Sequence, residues 1–253
     1  MTEQENLFEN KILSSIANAE FLQNDLKKLT GFMARKGNLY NNELMVIGRA
    51  VNGWISEADT RCANEFLDAT TRIRFRIASQ SIDNPNNCPM NWVVRDWFNE
   101  NRNEYSTNRS AFWRVIKSLV FKLNFDGISD NNWSSHLVWS NLYKVSPGDE
   151  GNPSEKLCAV QLDGCKNLLA CELDEYRPKR IVFLTGMNWA DVFLSNFNMQ
   201  TAQNNYKYVS DVGVNKNYKN MKAVIASHPQ GKNETQWVSE VLQAFNQLEK
   251  GNL

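Results

Sequence analysis

Apolar residues recur in two rhythms along this chain. Ile12, Ile16, Ala19, Leu22, Leu26 and Leu29 return every three or four positions, which predicts an amphipathic helix over about residues 7–35, ended by Gly37 and Asn38. The second rhythm is the short unbroken run. Leu44-Met45-Val46-Ile47, Ile181-Val182-Phe183-Leu184-Thr185 and Ala223-Val224-Ile225-Ala226 are too short for lone helices and read as buried strands. Residues 138–145 predict a further strand, closed by the turn signal Ser146-Pro147-Gly148, and residues 206–214 another. Helical spacing returns over 110–121, over 154–175, beyond Gly186 through Trp189, Val192, Phe193 and Leu194, and from Glu234 through Trp237, Val241, Leu242, Phe245 and Leu248. Short apolar strands alternating with helices predict an α/β fold, a three-layer sandwich with a mainly parallel central sheet flanked by helices.

With no internal repeat or low-complexity linker, the 253 residues read as one domain, 1–253, carrying an insertion or lid over about 55–108. That insertion holds the turn cluster Asp83-Asn84-Pro85-Asn86-Asn87 and a tryptophan-rich segment from Asn91 to Phe98. Five cysteines, an odd number with no Cys-x-x-Cys pair, argue against a disulfide framework and a simple zinc site. The polar, acidic start and the lack of a bilayer-length apolar run complete the expectation of a cytoplasmic protein with no membrane partner. Lysine plus arginine equals aspartate plus glutamate, 28 against 28, so any nucleic-acid surface must be local. Arg72, Arg74 and Arg76 would share one face of a strand, whereas a helix would spread them. They are either a solvated basic face or a phosphate contact.

Candidate chemistry sits where the predicted strands end. His228, in Ser227-His228-Pro229-Gln230-Gly231, is biased away from helix by Pro229 and falls on a strand-to-helix loop. Ligands of open α/β sheets bind at the carboxyl ends of strands, so His228 is either a site residue or a capping, hydrogen-bonded loop histidine. Leu44–Ile47 runs into a second such loop, Gly48-Arg49-Ala50-Val51-Asn52-Gly53. Residues 138–145 carry Asn141.

These strand exits, in this order, resemble the uracil-DNA glycosylase superfamily. Gly48, Arg49, Ala50 and Gly53 resemble its Gly-x-(Ala or Asn)-Pro-Gly loop, with Val51-Asn52 where one proline is expected, and Glu57 and Asp59 follow where the iron-sulfur branch has an acidic pair. Ser140-Asn141-Leu142-Tyr143-Lys144-Val145-Ser146-Pro147, then Gly151-Asn152-Pro153, resembles that branch's Asn-x-x-Lys-Cys-x-Pro-Pro with its later Asn-Arg. The helix with Glu155, Cys165, Leu168 and Leu169, then Arg177-Pro178-Lys179 and the strand beyond, keep the same order, and Ser227-His228-Pro229 resembles the closing His-Pro-Ser. The resemblance spans about residues 44–248 and leaves 54–110 unmatched.

Departures from the pattern are specific. Of the branch's four cluster cysteines only Cys165 has a counterpart, and Val145 occupies the third position, so neither an iron-sulfur cluster nor any other cofactor is expected. Arg49 stands where the family positions or activates water, and Gln230 replaces a serine.

The resemblance implies a glycosylase that flips a base out of uracil-containing or damaged DNA and hydrolyses its N-glycosidic bond. His228 is then the donor to a pyrimidine carbonyl as charge grows on the departing base. Asn141 reads the base edge through its donor and acceptor, or else is an amide that satisfies the strand end. Asn52 is the nearest amide for orienting water, with Glu57 and Asp59 farther on, while Gly48, Arg49, Ala50 and Gly53 form the substrate loop. Trp54, Tyr105, Phe112 and Trp113 are the rings available for stacking. A glycosylase-fold protein without catalysis, binding nucleic acid or a partner, is the alternative, and Arg49 and the neutral charge favour it. A small-molecule hydrolase is a third reading.

Overall fold

The computed structural model describes residues 1–80, 88–101, 104–149, 151–202 and 205–250; the expected turn cluster at 83–87 lies outside them. The described residues form nine strands: β1 (Leu29–Gly31), β2 (Arg35–Lys36), β3 (Leu44–Gly48), β4 (Leu137–Asn141), β5 (Val145–Pro147), β6 (Arg180–Phe183), β7 (Phe197–Thr201), β8 (Val209–Asn215) and β9 (Lys222–Ala226). β1 and β5 pair with each other, and the other seven form one sheet in the order β2-β4-β3-β6-β9-β8-β7. With helices between the strands, the chain is an α/β protein.

The centre of the sheet follows from the apolar runs. All five residues of β3 are buried, as are three of the four in β6 and four of the five in β9, the pattern of strands covered on both faces. β3 and β6 pair in parallel with Met45 opposite Ile181, and β6 and β9 in parallel with Ile181 opposite Ala223. The carboxyl ends of these three strands therefore share one edge of the sheet. The chain leaves β3 at Gly48 and β9 at Ala226.

The sheet as a whole is mixed rather than mainly parallel, because β2 pairs antiparallel with β4, and β8 pairs antiparallel with both β9 and β7. Connection length explains this. Only residues 216–221 separate β8 from β9, well short of the dozen or so that a parallel crossover needs. The edge strand β7 had no apolar run to reveal it: Phe197 is buried, but Asn198, Gln200 and Thr201 are exposed.

Contacts divide the chain into two compact units, one of Met1–Ala34, Gly48–Asp83 and Ser140–Tyr176, the other of Arg35–Ile47, Asn84–Trp139 and Arg177–Leu253. In the first, the N-terminal helix is shorter than its spacing predicts. It runs through Glu3–Leu7, a wide π turn at Phe8–Leu13, and Ser14–Ala17, then stops at Asn18, and Leu29 belongs to β1. Leu26 keeps the period but is 77% exposed, so the spacing past Ala17 is coincidental. Helix Glu155–Tyr176 approaches this segment so closely at Gly164 that a Cβ there would lie 2.7 Å from Ile12 Cγ1.

The region read as one insertion contributes to both units, with Glu57–Asp59, Ala63–Leu67 and helix Ala69–Ser79 in the first and helix Asn91–Trp97 in the second. Because residues 69–79 are helical, the three arginines do not share one face. Arg76 pairs with Glu5 at 2.9 Å and Glu9 at 3.0 Å, and Arg72 donates to the Phe66 carbonyl at 2.6 Å. In the second unit, helices Ala111–Leu123 and Glu234–Glu249 form close to their expected bounds. Trp92, Trp113 and Trp139 pack there with ring centroids 5.1–5.7 Å apart.

Candidate functional site

Gly48 ends β3 and opens the loop in the first unit. The Gly48 and Arg49 carbonyls accept the Leu142 and Tyr143 N–H groups, both at 2.9 Å, so this loop and the segment after β4 are tied main chain to main chain. Ser146 donates its hydroxyl to the Val51 carbonyl at 2.6 Å. Asn52, the expected water-orienting amide, is exposed, and its Oδ1 already accepts the Gly151 N–H at 3.1 Å. Gly53 has φ +63°, a left-handed turn that glycine adopts without steric cost. Ala50 is half-buried and brings no polar group. Burial lowers the Arg49 pKa below its ordinary 12.5, and the guanidinium remains cationic at neutral pH.

The acidic pair and the first candidate ring are engaged locally. Glu57 and Asp59 sit on an exposed turn, where Asp59 accepts the Ser56 hydroxyl at 2.6 Å. Trp54 donates its indole N–H to the Ser79 carbonyl at 3.2 Å and meets Phe32 edge-on at 5.2 Å. Thr30 Oγ1 accepts both the Trp54 and Ile55 N–H groups. Trp54 thus anchors the loop onto β1.

Asn141, the last residue of β4, is 2% exposed, and its Nδ2 is buried with no hydrogen-bond partner. A buried donor left unmade costs about 1–3 kcal/mol, so such groups are rare and ask for an explanation. Polar groups of the residues beside it along the chain are, by contrast, hydrogen-bonded. Lys144 and Glu172 have side chains 0% exposed and pair at 2.6 Å. Lys144 Nζ also donates to Ser140 Oγ at 2.7 Å, and Ser140 Oγ donates to Glu172 Oε2 at 2.6 Å, closing a three-membered ring. Gln161 Oε1 accepts the Lys144 and Val145 N–H groups at 3.2 and 3.0 Å, and Gln161 Nε2 donates to the Val145 carbonyl at 2.8 Å.

Cys165 donates to the same Gln161 Oε1 at 3.3 Å, and burial pushes its thiol up to about 12, so it is a neutral core group. No group of three His, Cys, Asp or Glu side chains lies together as metal ligands would among the described residues. Glu172 and Gln161 had no role assigned from sequence. The signal was nonetheless present: Gln161, Cys165, Leu168 and Glu172 recur at helical spacing, so two polar residues stand on a stripe that is otherwise apolar.

His228 belongs to the second unit and sits, as expected, on the loop between β9 and helix Glu234–Glu249. The loop is fixed by its neighbours. Ser227 N–H donates to the Tyr208 carbonyl at 2.8 Å, and Trp237 donates its indole N–H to the Ser227 carbonyl at 2.8 Å. Half-buried His228 accepts the Gln230 N–H at Nδ1 (3.3 Å), which leaves the neutral ring's proton on Nε2. Its ring lies near-parallel to Phe112, 26° apart with centroids at 6.5 Å.

Of the remaining rings, Trp113 is 2% exposed and belongs to the core, while Tyr105 is exposed. His136 is buried outside any motif, and burial lowers its pKa. A groove of about 620 Å³ beside helix Glu234–Glu249 is lined by amide and hydroxyl groups, including Asn205, Asn233, Gln236 and Gln243, and by none of the candidate residues. Among the described residues, no helix is long and apolar enough to cross a membrane.

No protein-family model matches this chain, and no curated protein matches it.

Proposed function

We propose that this protein is a uracil-DNA glycosylase-like hydrolase that flips uracil or a related damaged base out of DNA and cleaves its N-glycosidic bond, acting in cytoplasmic DNA repair. The parallel trio β3, β6 and β9 would be the centre of the family's three-layer sandwich. The observation that carries the reading is Asn141: a buried amide at a strand end, in a densely hydrogen-bonded setting, with its donor unmatched by protein. A pyrimidine carbonyl offers the missing acceptor. His228 fits the second role, since a neutral ring protonated at Nε2 presents a donor to charge developing on a departing base.

One observation favours the alternative, a glycosylase-fold protein that binds nucleic acid without cleaving it. In the first loop, the Asn52 oxygen is committed to Gly151 and the neighbouring side chain is the cation of Arg49, so the loop offers no open carboxylate to orient water. Base release from single- and double-stranded uracil DNA, read by strand cleavage after alkali, separates the two. The glycosylase reading expects release by the wild type that falls in His228→Ala. Absence of release from any lesion, with DNA binding retained, supports the binding protein; absence of both refutes the family reading.

A further inference from the structure

We infer that the buried ring of Ser140, Lys144 and Glu172 is a positioning device that holds the Asn141 amide in place for its ligand. The inference rests on the role proposed above for Asn141. Lys144 and Glu172 are the only described ion pair with both side chains at 0% exposure. Such a pair is a poor source of stability, because apolar residues of similar volume in its place are often neutral or better. What the ring does supply is geometry, and it supplies it to the segment that carries Asn141.

Ser140 directly precedes Asn141, and Lys144 follows three residues later. Glu172, on helix Glu155–Tyr176, grips both: Oε2 takes the Ser140 hydroxyl at 2.6 Å, and Oε1 the Lys144 ammonium at 2.6 Å. Between them, Leu142 and Tyr143 are pinned to the Gly48 and Arg49 carbonyls. Gln161 fixes the Lys144 and Val145 amides from the same helix. Every residue flanking Asn141 from Ser140 to Val145 is tied by a hydrogen bond, while the Asn141 amide nitrogen is not. Recognition of a planar edge by one amide requires placement within roughly 0.5 Å, and a rigid supporting shell provides it.

The test is the double variant Lys144→Met/Glu172→Leu, which removes both charges and keeps the side chains long, with Ser140→Ala beside it, which cuts the hydroxyl link and leaves the ion pair. Three properties are read: the melting temperature, the side-chain amide resonances of Asn141 in asparagine-labelled protein without ligand, and the affinity ratio for a uracil-containing single-stranded oligonucleotide over its cytosine counterpart, whose edge reverses uracil's donor and acceptor. Both variants are expected to fold, with broadened or shifted Asn141 resonances and at least a tenfold loss of the ratio. Folded variants with unchanged resonances and an unchanged ratio would overturn the inference. If the double variant does not fold, Ser140→Ala decides by the same two readings. If the wild type shows no uracil preference, the proposed function fails, and the ligand-free resonances still decide whether the ring positions Asn141.

Discussion

Replacing Asn141 by leucine should cost the protein little stability and leave it functionally blind. Leucine matches asparagine in number of side-chain heavy atoms but is bulkier, and it has no donor. The substitution removes a buried, unpartnered Nδ2, whose retention costs about 1–3 kcal/mol. Against that gain stands overpacking by the bulkier leucine, a cost of about 1–3 kcal/mol. The two nearly cancel, so the melting temperature is expected to stay within about 2–4 °C of the wild type, the equivalent of about 1 kcal/mol for a chain of this size. Calorimetry would measure it, with urea unfolding alongside to check that the m-value is unchanged. An amide kept for folding offers no such gain to offset the overpacking and predicts a clear fall. A drop of more than about 4 °C would therefore refute the argument that Asn141 is held at a cost for a ligand.

The other consequences are tested separately. His228→Ala should lower base release by about 100-fold or more, as when a charge-stabilising donor is lost, while shifting the melting temperature by less than about 3 °C; equal loss of activity and fold would make the histidine structural. Glu172→Ala alone strands the Lys144 ammonium at 0% exposure and should cost about 3–5 kcal/mol in urea unfolding, and a cost under about 1 kcal/mol would show that the pair is not buried as described. Gly164→Ala should destabilise by about 1 kcal/mol: overpacking against Ile12 costs about 1–3 kcal/mol, more than the gain of about 1 kcal/mol from helix propensity, and a stabilised variant would contradict that close approach. Burial raises the Cys165 pKa from 9.0 to about 12. The neutral thiol's contribution is therefore whole below about pH 9 and is lost as pH rises toward the folded value, by about 1.4 kcal/mol at pH 10. Cys165→Ala should flatten the fall in urea midpoint between pH 7.5 and 10; an unchanged slope would rule the thiol out as its source.

What the sequence revealed follows from how each element is buried. β3, β6 and β9 were legible because a strand covered on both faces must be apolar throughout. β7 was not, since an edge strand with exposed Asn198 and Gln200 carries no such run. The N-terminal helix was overextended because Leu22, Leu26 and Leu29 keep a helical period that no continuous helix uses. The strand expected over 138–145 stops at Asn141 for a different reason: the chain pairs again only from Val145, in β5, which runs into the expected turn and bonds to β1. Asn141 in the first unit and His228 in the second each stand at the exit of a strand. The partners that tie Ser140 and Lys144 were hidden, because a glutamate and a glutamine on the buried stripe of a long helix acquire meaning only when Lys144 and Ser140 come into reach.

Whether Asn141 serves a uracil ligand is the central question. The most direct measurement is equilibrium binding of a fluorescent single-stranded oligonucleotide carrying one uracil, against the same strand with cytosine, to the wild type and to Asn141→Leu at fixed ionic strength. At least a tenfold preference for uracil over cytosine is expected in the wild type, lost in the variant while binding to the cytosine strand is unchanged. Equal affinity of the wild type for both strands, or a preference that survives in the variant, would contradict that role for Asn141.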